Sequence, residues 1–240
     1  MFKKGASLSI VIVPFLRRFS ITALTAVACF LTYQQLQTDI YDFPNPKPFS
    51  GDSIYNPYAH VQGTWYKANF HAHTKAYSGL TYGTKSARYV IGKYKALDYD
   101  IINISDYFSM KNNSSDSDLF LDMYEHGLNI FKTHRLVIGA PSVDYFDFSF
   151  NFTLSNKQYV LHRLENECRL LAIAHPEFED GHTRNDVKYL SGYQCMEVLN
   201  HLRTSTAHWD SALSAGKPVW LIAGDDSHSS SSILECGRTW

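Results

Sequence analysis

An α/β architecture of parallel strands joined by crossover helices is the fold class this sequence predicts. Three observations carry it. Short apolar, β-branched runs recur from residue 65 onward, each run adjoins a polar and in most cases ionisable residue, and helical stretches separate the runs. The chain has 240 residues, 45% of them apolar, with 22 Lys+Arg against 23 Asp+Glu, enough for one sizeable core. That balance excludes a disordered chain, a collagen-like repeat and a small disulfide scaffold. The formal net charge of −1 offers no general attraction to phosphate backbones, and no nucleic-acid partner is expected. Cys29, Cys168, Cys195 and Cys236 form no CxxC pair, so neither a zinc ribbon nor a thioredoxin-type motif is supported.

Residues 1–38 read as a targeting segment. Lys3, Lys4, Arg17 and Arg18 precede an uncharged stretch from Phe19 to Thr38 whose apolar heart is Ile21 to Tyr33. A span needs about 20 residues, and Gln34, Gln35 and Gln37 at the interface would complete it. A signal anchor, a cleaved signal peptide and a lipoprotein signal using Cys29 after Ala26-Val27-Ala28 all lead to export. The anchor is preferred, since lipoprotein signals usually carry Leu where this chain has Ala26. The basic flank would stay cytoplasmic, leaving the rest membrane-anchored, periplasmic or extracellular. Residues 39–61 hold Pro44, Pro46, Pro48 and Pro57 and read as a linker, and the folded domain is expected over 62–240.

The expected strands come in order. Trp65 to Phe70 leads to His71, Ile101 to Ile104 leads to Asp106, and Leu136 to Ala140 follows His134. Leu170 to Ala174 leads to His175, Cys195 to Leu199 to Asn200, and Val219 to Ala223 to Asp225, Asp226 and His228. Ser86 to Ala96, Ser155 to Leu170 and Ala207 to Ala215 read as helices, the last stopped by Gly216. A closed barrel would bring the strand-end residues to one mouth, but periodicity does not separate a barrel from an open doubly wound sheet.

His71 and His73 stand two apart, so in a strand both imidazoles project from one face and reach one ion. An imidazole pair suits Zn, Fe or Mn. Alone the pair is weak evidence. Asp106, Glu125, His134, His175, Asp226 and His228, each at a strand end or adjoining loop, turn it into a candidate site.

These residues resemble the PHP (polymerase and histidinol phosphatase) domain metal-dependent phosphoesterases from about Trp65 to His228. Phe70-His71-Ala72-His73-Thr74 is similar to the family's opening HxHT motif, and Ile104-Ser105-Asp106 closes a stretch similar to its second. Ala174-His175-Pro176 resembles its "aHP" motif and Asp226-Ser227-His228 its closing DxH. The third motif, a Glu followed by a His before a strand, is matched to Glu125 and His134 in preference to Asp144 or Asp147.

The resemblance implies a distorted (βα)7-type barrel related to TIM barrels, with up to three metals at its mouth. The first site would use His71, His73, Glu125 and Asp226, and the second Glu125, His134 and His175, with Asp106 and His228 also in the ligand set. The third falls on Ser78, Tyr107 and His228. A serine hydroxyl is a poor ligand and tyrosine binds mainly as phenolate, with an ordinary pKa near 10. Two divalent ions, Zn, Mn or Fe, are therefore expected. Family members also continue past the closing motif, whereas this chain stops at Trp240, so a C-terminally truncated or open barrel is expected.

The chemistry implied is hydrolysis of a small phosphorylated substrate by a metal-bridged hydroxide. Asp226, Tyr107 and His228 are the candidate catalytic residues, with His228 as general acid to the leaving alkoxide. Arg184, Arg203 and Lys75 are candidates to hold phosphate oxygens. A catalytically degenerate PHP-fold module, and a dinuclear hydrolase acting on amides or lactones, are the alternatives.

Overall fold

The computed structural model describes residues 6–52, 59–79, 83–110, 121–151, 153–229, 231, 233 and 237–240; Lys3, Lys4, Pro57 and Cys236 lie outside them. The chain forms two units, Met1–Asp39 and Ile40–Trp240. The first is one helix, α1 (Ala6–Leu36), which runs through Pro14 and the Arg17–Arg18 pair. Within it, Ile12–Leu36 spans 25 residues at mean hydropathy 1.4, long and apolar enough to cross a membrane by length and composition, a test that signal sequences also pass.

The second unit holds seven strands and four helices among the described residues. The strands are β1 (Ala68–Asn69), β2 (Ile101–Ile102), β3 (Met123–His126), β4 (Arg135–Ile138), β5 (Leu170–Ile173), β6 (Cys195–Leu199) and β7 (Trp220–Ala223). The helices are α2 (Ala87–Lys95), α3 (Leu154–Glu165), α4 (Asp186–Tyr189) and α5 (Thr206–Ser214). Ser86 caps α2 by accepting from the Tyr89 N–H, and Thr153 with Asn156 forms a reciprocal capping box at α3.

The strands make two sheets that do not close into a barrel. β1 and β2 pair in parallel, and the other five lie in the order β3-β4-β5-β6-β7. The expectation of a uniformly parallel sheet fails at β3, β4 and β5, which run antiparallel, while β5, β6 and β7 are parallel. No helix separates β3 from β4, and so short a connection can only return the chain antiparallel. β3 was not expected as a strand: all four of its residues are buried, so it shows no alternation. Isolated bridges join Tyr107 to Glu125 and Ala72 to Ser227, relating the ends of β2 and β7 to β3 and β1.

Alternation sorts the five-stranded sheet into two faces. Val137, Leu171, Ile173, Met196 and Val198 pack in the main core with Val160, Leu161, Leu164, Val187 and Ala212 of α3, α4 and α5. Met123, Leu136, Ile138, Ala172, Ala174 and Cys195 form a smaller cluster. By the two-residue period, Glu125 shares a face with Met123, and Glu197 with Cys195. A third cluster joins α2 to the small sheet through Val90, Tyr94, Ile102 and Ile104.

The proline-rich stretch forms no helix or strand in its described part, yet it contacts the domain. Tyr41 N–H donates to Ser155 Oγ at 3.4 Å, and a Cβ on Gly216, whose φ is +83°, would lie 1.8 Å from the Lys47 carbonyl oxygen.

Leu161 is fully buried in the main core. Leu161→Ala is expected to cost about 2–5 kcal/mol, read as a lower denaturant midpoint of the full chain with its slope unchanged.

Candidate metal centre

The centre is assembled where strands end. His71 and His73 follow β1, and their segment pairs with the one after β7: Asp226 N–H donates to His71 O at 2.8 Å and His73 N–H to Ser227 O at 2.8 Å. This pairing sets Asp226 beside both imidazoles. Glu125 comes from β3, His134 immediately precedes β4 and His175 follows β5. His175 and Asp226 have φ of +25° and +48°, a region side-chain-bearing residues rarely adopt and one that collects at functional sites.

Ligand-type atoms converge closely. His73 Nε2 lies 3.0 Å from Glu125 Oε2 and 3.1 Å from Asp226 Oδ1, and His71 Nε2 lies 3.2 Å from Asp226 Oδ1 and 3.4 Å from Glu125 Oε1. His175 Nε2 and His134 Nδ1 approach Glu125 Oε1 at 3.2 and 2.6 Å. Two groups, His71/His73/Asp226 and His71/Glu125/His175, each have ligand atoms within 4.8 Å of one another, so either can hold a metal ion. His71 belongs to both.

The donor set fits a divalent cation. Glu125 Oε2 and Asp226 Oδ1 are buried with no aligned hydrogen-bond donor among the described residues, a state that costs about 1–3 kcal/mol per neutral acceptor and more for an ion. His71 Nε2 and His73 Nε2 stand 3.2 Å apart, so protons on both would repel each other. A cation shared by the imidazole lone pairs and the carboxylates satisfies all four atoms, and a His/carboxylate set accepts Zn, Mn or Fe.

The electrostatics point the same way. Burial lowers the His71 pKa, but Asp226, Glu197 and Glu125 outweigh it and hold it well above the ordinary value. His73, with the same opposition of burial to Asp226 and Glu125, is raised to about 9, and His175 is raised as well. Glu125, despite burial, is held well below the carboxylate range by His134 and His71, and Asp226 is lowered by His71 and His73. Without a cation His71, His73 and His175 favour their protonated forms, whereas burial lowers His134, and a metal must displace those protons.

Sequence reasoning missed the residue that orients this cluster. Glu197 of β6, fully buried, places both carboxylate oxygens 3.0 Å from His71 Nδ1 and accepts the His175 N–H at 3.1 Å. A proton on Nδ1 donated to Glu197 leaves Nε2 as the coordinating atom, as in carboxylate–histidine–metal arrangements. The available signal was an acid inside the apolar run Cys195–Leu199. Gly224 permits this approach, because a Cβ there would lie 2.6 Å from both Glu197 Oε1 and His71 Cβ.

Asp106 does not join either ligand group. Its oxygens accept from Thr74 N–H at 2.6 Å and Thr74 Oγ1 at 2.5 Å, and Oδ1 lies 3.9 Å from His73 Nδ1. It therefore braces the turn that carries His73. Tyr94 does likewise for the closing motif, its hydroxyl donating to Asp225 Oδ2 at 2.9 Å and lying 3.1 Å from Ser227 Oγ.

The positions expected for a third metal behave differently. Ser78 is exposed on a turn and does not line the pocket described below, Tyr107 stacks its ring on His73 with centroids 4.7 Å apart, and neither group of ligand atoms includes His228. His228 Nδ1 lies 2.8 Å from the Asp226 carbonyl oxygen, to which it donates, leaving Nε2 as acceptor. Burial, then His73, lower its pKa, so the neutral imidazole can accept a proton at Nε2.

The centre opens into a cavity of about 460 Å³ lined by His134, His175, Asp226 and His228, with Tyr107, Phe178, Leu202, Thr84, Ser229, Lys132 and His201 completing the walls. His201 Nδ1 contacts the Asp225 carbonyl oxygen. Lys75, Arg184 and Arg203 are exposed and do not line this cavity. His60 and His162 are solvent-exposed, while His126, donating to Phe146 O at 2.8 Å, and His208, 3.0 Å from Glu177, are buried away from the ligand groups.

No family model matches the chain, and no curated protein matches it. Among solved structures it is similar to a two-domain protein from Bacteroides vulgatus containing a predicted PHP-like metal-dependent phosphoesterase. The identity is 12% and the TM-score 0.45, over 80% of this chain and 57% of that one. The chain thus matches little more than half of that protein's length.

Glu197→Gln is expected to weaken metal affinity about 10–100-fold with the circular dichroism spectrum unchanged, as read by competition with a chromogenic chelator. Metal uptake near neutral pH is expected to release protons and to weaken as the pH falls, which calorimetry in buffers of different ionisation enthalpy reports. In the chelated protein, the raised His73 contributes stability that is lost as the pH rises through about 9. The lowered carboxylates contribute stability that is lost as the pH falls below about 4. Melting temperature against pH tests both limits.

Proposed function

We propose that this chain is a metal-dependent phosphoesterase of the PHP type, with a dinuclear centre built from His71, His73, Glu125, His134, His175 and Asp226. The observation that carries the reading is the convergence of motif residues from four separate parts of the chain on one cluster of ligand atoms, beside a cavity of substrate size. The bridges Tyr107–Glu125 and Ala72–Ser227 support an irregular, open relative of the PHP barrel as the underlying architecture. The apolar α1 supports a membrane anchor for an exported domain at 62–240, the proline-rich segment lying between them.

Divalent ions held at this centre supply Lewis acidity, polarising the phosphoryl group and rendering water more acidic. The chain's own residues do the rest. Glu197 fixes the tautomer of His71, Asp106 and Thr74 fix the turn carrying His73, and the Asp226 carbonyl fixes that of His228. His228 Nε2 takes the proton of the attacking water as the new P–O bond forms, and returns it to the leaving alkoxide as the ester P–O bond breaks. The Tyr107 ring covers His73 and narrows the cavity, limiting water around the phosphoryl group.

Turnover of p-nitrophenyl phosphate by the full chain is expected to require Zn, Mn or Fe and to vanish with chelator. His228→Ala is expected to lower kcat by about 10²–10⁴-fold with metal content unchanged. A metal-loaded protein that turns over no phosphoester would favour a binding module, the reading that the missing ligands at Ser78 and Tyr107 support.

A further inference from the structure

Among the described residues that line the cavity, Lys132 is the one lysine or arginine. We propose that Lys132 is a specificity-determining residue that holds the phosphoryl group of a phosphate monoester; the assignment rests on the phosphoesterase reading above.

Position comes first. Lys132 stands two residues before His134, which reaches Glu125 Oε1, and shares the cavity wall with His175, Asp226 and His228. A monoester presents three non-bridging oxygens, and any not held by a divalent ion would be open to an ammonium group. A lysine supplies a compact charge with three rotatable donors for it.

The loop carrying Lys132 is built to present it. Asn129 Oδ1 accepts from Phe131 N–H at 3.2 Å and Thr133 N–H at 3.1 Å, while Lys132 N–H donates to Asn129 O at 3.2 Å and His134 N–H to Lys132 O at 2.8 Å. From the other side Gly181 presses on this turn, where a Cβ would come within 2.3 Å of the Lys132 carbonyl oxygen. Lys132 itself has φ +54°, a conformation that glycine or asparagine adopts with less strain. A long charged side chain at such a position, lining a cavity whose other described residues include no lysine or arginine, is strain placed where function uses it.

The test uses the full chain loaded with metal and inorganic phosphate as the probe, titrated by calorimetry into the parent, Lys132→Asn and Lys132→Arg. Asparagine tolerates the backbone conformation without the charge, so it separates charge from strain. Lys132→Asn is expected to weaken phosphate binding at least about tenfold and to raise KM for p-nitrophenyl phosphate, with metal content unchanged, while Lys132→Arg keeps most of the affinity. Phosphate affinity of Lys132→Asn within about twofold of the parent would overturn the assignment alone. Loss of metal from Lys132→Asn and Lys132→Arg alike would make the residue structural and overturn it too. A parent that holds metal but binds no phosphate would overturn the phosphoester reading together with this one.

Discussion

Glu125 and Asp226 are two buried carboxylates facing four imidazoles, and the architecture around them is arranged to keep that charge in place. Burying even one unpaired carboxylate is expensive. Here Glu125 sits within 3.4 Å of nitrogens from His71, His73, His134 and His175, which come from segments scattered over a hundred residues. A cluster so dense in ligand atoms needs a compensating charge. Protons can supply it in part, and the 3.2 Å approach of two Nε2 atoms favours a metal.

The surrounding irregularities follow from this demand. Ladders β1 and β2 are only two residues long, and the chain leaves them to place His71 at the centre and Asp106 against the turn that carries His73. His175 and Asp226 adopt strained backbone angles, and Gly224 gives up a side chain so that Glu197 and His71 can meet. Stability for these concessions comes from the opposite face of the larger sheet, where Leu171, Met196 and Val198 pack on α3, α4 and α5.

Much of this was legible in the sequence where local periodicity expresses it. His71 and His73 announce themselves by two-residue spacing, and β5, β6 and β7 by apolar runs ending in polar residues. β3 was not legible, because a four-residue strand buried on both faces carries no alternation. Its antiparallel pairing with β4 depends on a connection without a helix, and the same stretch holds Glu125, whose match to a motif came from the family resemblance. Glu197 was hidden inside an apolar run, since its role depends on which face of β6 meets His71. Lys132 was invisible for a different reason: its place in the cavity comes from a turn set by Asn129 and Gly181, distant in sequence from one another. Lys75, Arg184 and Arg203 were chosen by charge and proximity to motifs, and sequence proximity does not determine which way a loop faces.

The most direct test of the central claim is the metal content of the full chain, purified without chelators and measured by elemental analysis beside Glu125→Ala. The account predicts about two equivalents of Zn, Mn or Fe in the parent and a clear loss in the variant, whose shared carboxylate is gone. A folded parent that remains empty after titration with all three metals would contradict it.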